Sequence, residues 1–302
     1  MITVGCAGFP VPATRYFKEF LFVEVQETHM APPGAGTVRR WRREAPDGFH
    51  FAMLGPREIG QEGFRDGMVV ETALRTLESV GKELEADLVV LVAPPDFMPT
   101  RPNKTAVKDL LGSVRKKFRR VVFEPSSGWD PDEAESLAHD AGAIAARDPL
   151  TSGISKRAVA YYRLPGPAGH KSRYEDPAID KLGELARLAG DQEATYVFTN
   201  VDMFADAKRL KKILKLLRAA RARDGARRGV PAKDGPGPPG RERYVGVVLR
   251  PDPASCVRDE TARTRQGGLP RDGWWCHSPA HQKEKAPRLR RCLLVLRAAL
   301  AP

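Results

Sequence analysis

Short apolar, β-branched runs alternate with longer amphipathic stretches over the first two thirds of this chain. The short runs are Ile2–Gly5, Phe22–Gln26, Phe49–Leu54, Asp87–Val92, Arg120–Glu124, Gly142–Ala145, Val159–Leu164 and Thr195–Thr199. Between most of them, apolar positions recur at helical spacing. Leu74, Leu77 and Val80 do so in Thr72–Leu84, and Val107, Leu110, Leu111 and Val114 in Lys104–Phe118. Leu182, Leu185 and Leu188 repeat the pattern in Asp180–Leu188, and Leu210, Ile213, Leu214 and Leu217 in Phe204–Leu217. Asp130-Pro131-Asp132-Glu133 predicts a helix start: a capping Asp, a Pro in the first turn, then acids facing the helix dipole. Strands alternating with helices predict parallel pairing through helical crossovers. Eight of them are enough to close a TIM-like (β/α) barrel. A doubly wound open sheet is the competing arrangement.

From Ala219 onward the pattern stops. Gly and Pro supply 19 of the 84 residues from 219 to 302, as in Asp234-Gly-Pro-Gly-Pro-Pro-Gly240. Tyr244–Leu249 reads as one strand and Arg288–Leu300 as one short helix, too little to bury a core of their own. The chain thus divides into a barrel domain, residues 1–218, and a low-order basic C-terminal tail, residues 219–302. Charge follows the same division. The whole chain carries +12, but the tail has 18 Lys and Arg against 8 Asp and Glu, leaving the first 218 residues near neutral. A basic tail on a neutral domain says little about what the domain does. Cys6 stands alone in the body, which fits a reducing, cytoplasmic setting. No apolar run approaches the about 18–20 residues of a membrane span, and the first residues read as a strand, not a signal peptide.

Ordered motifs run through the body. Gly5-Cys-Ala-Gly-Phe-Pro10 is followed by Phe22-Val-Glu-Val-Gln-Glu-Thr28, and then by Trp41 ahead of Ala45-Pro-Asp-Gly-Phe-His-Phe51. Next come Leu91-Val-Ala-Pro-Pro-Asp-Phe97, Val122-Phe-Glu-Pro-Ser-Ser-Gly-Trp129, Asp148, Tyr162-Arg-Leu-Pro-Gly166 and Tyr196-Val-Phe-Thr-Asn200. Taken in this order they resemble the domain-of-unknown-function 72 (YecE-like) family, across the body and none of the tail. The resemblance implies a TIM-barrel-like fold and carries no established activity with it. Ser126 or Ser127 stands where the family usually has Arg, and Pro165 stands where it has His. Those two changes remove a charge clamp and a proton shuttle.

Functional groups of such barrels sit at the C-terminal ends of the strands. Glu24, Gln26 and Thr28 share one face of the second strand by period two, with Val23 and Val25 on the other. If that face points inward, Glu24 is a buried carboxylate in need of a partner, and Arg163 is the candidate. Glu124 ends the fifth strand and Asp148 follows the sixth. The two carboxylates suit acid–base work, while capping and pairing with Arg163 is the structural alternative. The candidate catalytic set is therefore Glu24, Glu124 and Asp148, and the candidate ligand-binding set is Gln26, Thr28, Arg163, Asn200, Tyr162 and Trp129. Asn200 also suits a helix cap, and Trp129 also suits packing. His29, His50, His139 and His170 are scattered, so no metal ligands are assigned; a divalent cation is the weaker option and the cofactor stays unknown. Cys256, Cys276, His277, His281 and Cys292 lack the paired C-x2-C knuckles of a zinc site.

The leading expectation is an uncharacterised enzyme acting on a small polar ligand, anionic or sugar-like, at the C-terminal face of the barrel. A non-catalytic ligand-binding or regulatory protein on the same fold is the alternative. Nucleic-acid association through the basic tail comes third, and the oligomeric state is open. The tail's Arg, Gly, Pro and Ala enrichment also resembles a GC-rich gene read out of frame beyond about residue 220. Sequencing the locus tests this: a lost frame there is the expected result, and an uninterrupted frame shared with related proteins through residue 302 overturns it.

Overall fold

The computed structural model describes residues 1–228. Its strands are β1 (Ile2–Ala7), β2 (Phe22–Val25), β3 (His50–Leu54), β4 (Leu88–Val92), β5 (Arg120–Glu124), β6 (Ile144–Arg147), β7 (Val159–Leu164) and β8 (Glu193–Phe198). They pair in chain order, all parallel, and close into a barrel. β8 returns to β1 with Ile2 opposite Ala194 and Cys6 opposite Phe198, which excludes the open sheet. Around the strands run α1 (Ala13–Tyr16), α2 (Ala35–Glu44), α3 (Arg57–Gln61), α4 (Met68–Leu84) and α5 (Arg101–Val114). The ring continues through α6 (Pro131–Asp140), α7 (Pro149–Ser152), α8 (Asp176–Leu188) and α9 (Met203–Arg228).

Each strand is buried on both faces, and its alternate residues enter two separate apolar clusters. Phe22, Leu54, Leu88, Val90, Val122, Tyr161 and Val197 fill the barrel interior. Val23, Val25, Val89, Val121 and Tyr162 point outward to the helices. Gly5 belongs to the inner face of β1, where Phe22 needs the space. A Cβ there would lie 2.5 Å from the Phe22 carbonyl oxygen and 2.7 Å from its Cδ1. Small Ala7 and Ala52 flank Glu24 in register, on β1 and β3. That leaves room for a carboxylate inside the barrel.

The helices take the faces their periodicity predicts, with one rotation. Leu74, Leu77 and Val80 of α4 and Val107, Leu110, Leu111 and Val114 of α5 are all buried. In α8 the buried stripe is Ile179, Leu182 and Ala186, while Leu188 is 62% exposed. Gly183 belongs to that stripe and lets α9 approach so closely that a Cβ would lie 2.6 Å from Ile213 Cγ2. α6 starts as predicted: Asp130 Oδ1 accepts hydrogen bonds from the Asp132 and Glu133 amides at 3.1 and 2.9 Å.

The boundary expected at residue 218 falls inside α9, which runs on to Arg228. The remaining tail features lie outside the described residues: the Gly/Pro-rich run, Tyr244–Leu249, Arg288–Leu300, and Cys256, Cys276, His277, His281 and Cys292. Among the described residues no helix is long and apolar enough to cross a membrane.

Candidate functional site

Three charged side chains meet across the upper interior of the barrel. Arg163 rises from the inner face of β7. Its Nη2 donates to Glu24 Oε1 of β2 at 2.8 Å, and its Nη1 pairs with Glu124 Oε2 of β5. Tyr161, two residues below Arg163 on the same face, donates its hydroxyl to Glu24 Oε2 at 2.7 Å. Gln26 Nε2 donates to Glu24 Oε1 at 3.0 Å. Glu24, with no solvent exposure, is thus paired at both oxygens, as a buried carboxylate must be.

Burial opposes the charge of Arg163, but the carboxylates of Glu124 and Glu24 outweigh it. The guanidinium holds its proton more firmly than a free arginine does. Burial, and then the neighbouring Glu24, push the Tyr161 phenol well above its ordinary range, so it stays a donor. Two carboxylates against one guanidinium leave the cluster net negative. The side chain of Glu124 is 27% exposed against 9% for Arg163 and none for Glu24, so Glu124 is the member a ligand can reach.

Of the sequence candidates, Glu24, Gln26, Glu124 and Arg163 come together and the others do not. Asp148 caps α7, accepting the Leu150 amide at 2.9 Å, and among the described residues it has no cationic partner. Burial raises its carboxyl pKa above the ordinary range, against the lowering effect of that amide. Thr28 leaves the Glu24 face because β2 ends at Val25 and the chain turns through a 3-10 helix, Glu27–His29. Its hydroxyl lies 2.6 Å from the Leu54 carbonyl and 3.1 Å from that of Val25, tying two strand ends together. Tyr162 points outward, where its hydroxyl accepts the Ser155 amide and pairs with Gln192 Oε1, each at 3.0 Å. Trp129 stacks on Phe97, with ring planes 13° apart, and donates to the Phe97 carbonyl at 2.9 Å. Ser126 donates to the same carbonyl at 2.7 Å, so the residue at the family's usual Arg position braces a loop. Asn200 Nδ2 donates to Asp206 Oδ2 at 2.8 Å and to the Ser172 carbonyl at 3.1 Å, joining the loop before α8 to α9.

Tyr161 was absent from the sequence candidates, although it shares a strand face with Arg163 by simple alternation. Two histidines lie near strand ends. His29 Nδ1 is 2.7 Å from the Gly55 carbonyl, and His170 Nδ1 is 2.9 Å from that of Thr199. Among the described residues no three His, Cys, Asp or Glu side chains form a metal-holding group. An apolar groove of about 440 Å³ lies apart from the charged cluster, beside α4, with Met30, Pro32, Met68 and Val69 in its lining. Among the described residues Glu58 is its only charged wall.

The model of the family described as "Protein of unknown function DUF72" matches residues 13–232. A DUF72 family protein from Enterococcus faecalis superposes with a TM-score of 0.60 at 16% identity, over 71% of this chain and 96% of its own. One from Thermotoga maritima gives 0.55 at 19% identity, over 71% and 99%. A structure described as L-ribulose 3-epimerase gives 0.53 at 12% identity, over 77% and 100%. At these identities the likeness is one of fold. No curated protein matches the chain.

Replacing Arg163 by Met should destabilise the protein by about 3–5 kcal/mol, because it strands Glu24 as an unpaired buried charge. The midpoint of urea unfolding measures this. Asp148→Asn should stabilise the fold at neutral pH, since Asn keeps the cap without the charge that burial penalises. A raised folded pKa favours the protonated form, so wild type recovers this deficit on acidification. Melting curves of the two proteins should therefore converge below the ordinary carboxylate range.

Proposed function

The chain belongs to the DUF72 family, and on that premise we propose that it binds a small, neutral, polyhydroxylated ligand of the sugar type at the C-terminal mouth of the barrel, with Glu124 engaging it as proton acceptor. The observation that carries this reading is the uneven exposure of the three-membered cluster. Glu24 and Arg163 are enclosed, and Glu124 alone keeps an accessible edge. Arg163 fixes that carboxylate from below, Glu24 fixes Arg163, and Tyr161 and Gln26 in turn fix Glu24. A base held this way loses little orientation when a ligand arrives. The net negative charge of the cluster disfavours an anion, which separates the sugar-like from the anionic ligand. A polyol hydroxyl, in contrast, donates readily to a carboxylate.

A non-catalytic binding protein is the second reading. It is favoured by the same pairing, since Arg163 already directs Nη1 and Nη2 at protein carboxylates that balance its charge. Pro165 and Ser126 contribute no titrating group in its place.

The structure described as an L-ribulose 3-epimerase makes ribulose a sensible first probe. Wild type and Glu124→Gln are incubated with a panel of pentuloses and hexuloses in deuterated buffer. Proton NMR then follows exchange at the carbons beside the carbonyl, and melting temperatures report binding. Wild type should exchange, and Glu124→Gln should be slower by about hundredfold or more. Stabilisation without exchange supports the binding reading, and the absence of both effects overturns the sugar-type ligand.

A further inference from the structure

The loop that follows β7 carries an imidazole back over the barrel rim. His170 Nδ1 lies 2.9 Å from the carbonyl oxygen of Thr199 and 3.2 Å from its Oγ1. A carbonyl only accepts, so Nδ1 carries the proton, and in its neutral form the ring then presents a lone pair at Nε2. The Thr199 hydroxyl fits the same assignment. It reaches the Leu164 carbonyl at 3.4 Å as donor and leaves a lone pair for His170.

Register places Thr199, the partner of this imidazole, just beyond the level of Arg163 at the rim. Arg163 of β7 is opposite Val197 of β8. Thr199 lies two residues beyond Val197, and its amide still donates to the Leu164 carbonyl at 2.9 Å, so the ladder, and with it the inward face, runs on past Phe198. The loop itself is braced. Ser172 Oγ accepts the Ala168 amide at 3.0 Å and donates to the Gly169 carbonyl at 2.7 Å. Tyr174 accepts the Gly166 amide at 2.8 Å, and Asn200 donates to the Ser172 carbonyl. His170 itself is exposed, so its free nitrogen is accessible to a molecule seated on the rim.

We propose that His170 is a ligand-contacting residue of the barrel mouth, accepting a hydrogen bond at Nε2 from a ligand hydroxyl, with Thr199 as the positioning residue that fixes its tautomer. The assignment deepens the sugar-type reading and rests on it. It adds an acceptor on the β7–β8 side of the rim. A polyol bridging Glu124 and His170 donates one hydroxyl to each. A ligand lacking the second hydroxyl leaves Nε2 unpaired and binds less well.

Two measurements on the full chain test it. Long-range proton–nitrogen NMR of the histidine rings, at mildly alkaline pH, should find His170 with its proton on Nδ1 in the absence of ligand. On titration with ribulose, the His170 Nε2 resonance should move. His170→Phe should leave the unliganded melting temperature unchanged and raise the ribulose concentration for half-maximal stabilisation about tenfold. His170→Gln, which keeps an acceptor, should recover part of that loss. A proton on Nε2 in the ligand-free protein overturns the proposal. So does a His170→Phe variant that responds to ribulose like wild type while Glu124→Gln does not, and that outcome leaves the sugar-type reading standing. If no pentulose or hexulose stabilises wild type, the sugar-type reading fails and this assignment falls with it.

Discussion

The barrel interior depends on one buried guanidinium. Arg163 joins strands that are not neighbours, β7 to β2 on one side and to β5 on the other. In the hydrocarbon-like centre of a barrel Glu24 is not tolerable alone, and a charged arginine without its carboxylates would be equally costly. The three side chains therefore make sense only together. Their geometry sets the floor of the mouth, and the layer beneath, which holds Phe22, is free to be apolar. The polar layer is held from below by the Tyr161 hydroxyl and from above by Gln26, leaving Glu124 as its accessible edge.

Much of this was legible in the sequence because strand alternation and helix periodicity are strong signals. The pairing of Arg163 with Glu24 and Glu124 follows from asking where a buried carboxylate on an inward face finds a cation. Tyr161 was legible by the same alternation, two residues before Arg163. Period two misplaced Thr28, because it assumes the strand continues. The chain bends after Val25, and the hydroxyl goes to the Leu54 carbonyl instead. Tyr162 and Trp129 looked like ligand contacts from their place near strand ends, but both are packed on the helix side. A motif gives position along a strand; the direction of the side chain has to come from the register.

Asp148, Asn200 and His170 show a different limit. Their partners are set by loops, and loops carry no periodicity. Asp148 is absorbed by its own helix start. Asn200 and Asp206 tie the loop before α8 onto α9, and that tie is what returns His170 to the rim. The family's His position is occupied by Pro165, and the imidazole comes five residues later, on a loop held by Ser172 and Tyr174. No spacing rule in the sequence connects His170 with Thr199; the contact exists only once β7 and β8 lie side by side.

Closure of the ring has a consequence for how this protein comes into being. β1 hydrogen-bonds to β8, with Ile2 opposite Ala194, and the Met1 amino group donates to the Gln192 carbonyl. During synthesis the first strand therefore waits, one edge unpaired, until nearly two hundred further residues have been made. Over that interval the growing sheet exposes two β edges to other chains. The contact that leaves the finished barrel without an edge is thus the last strand pairing the growing chain can make.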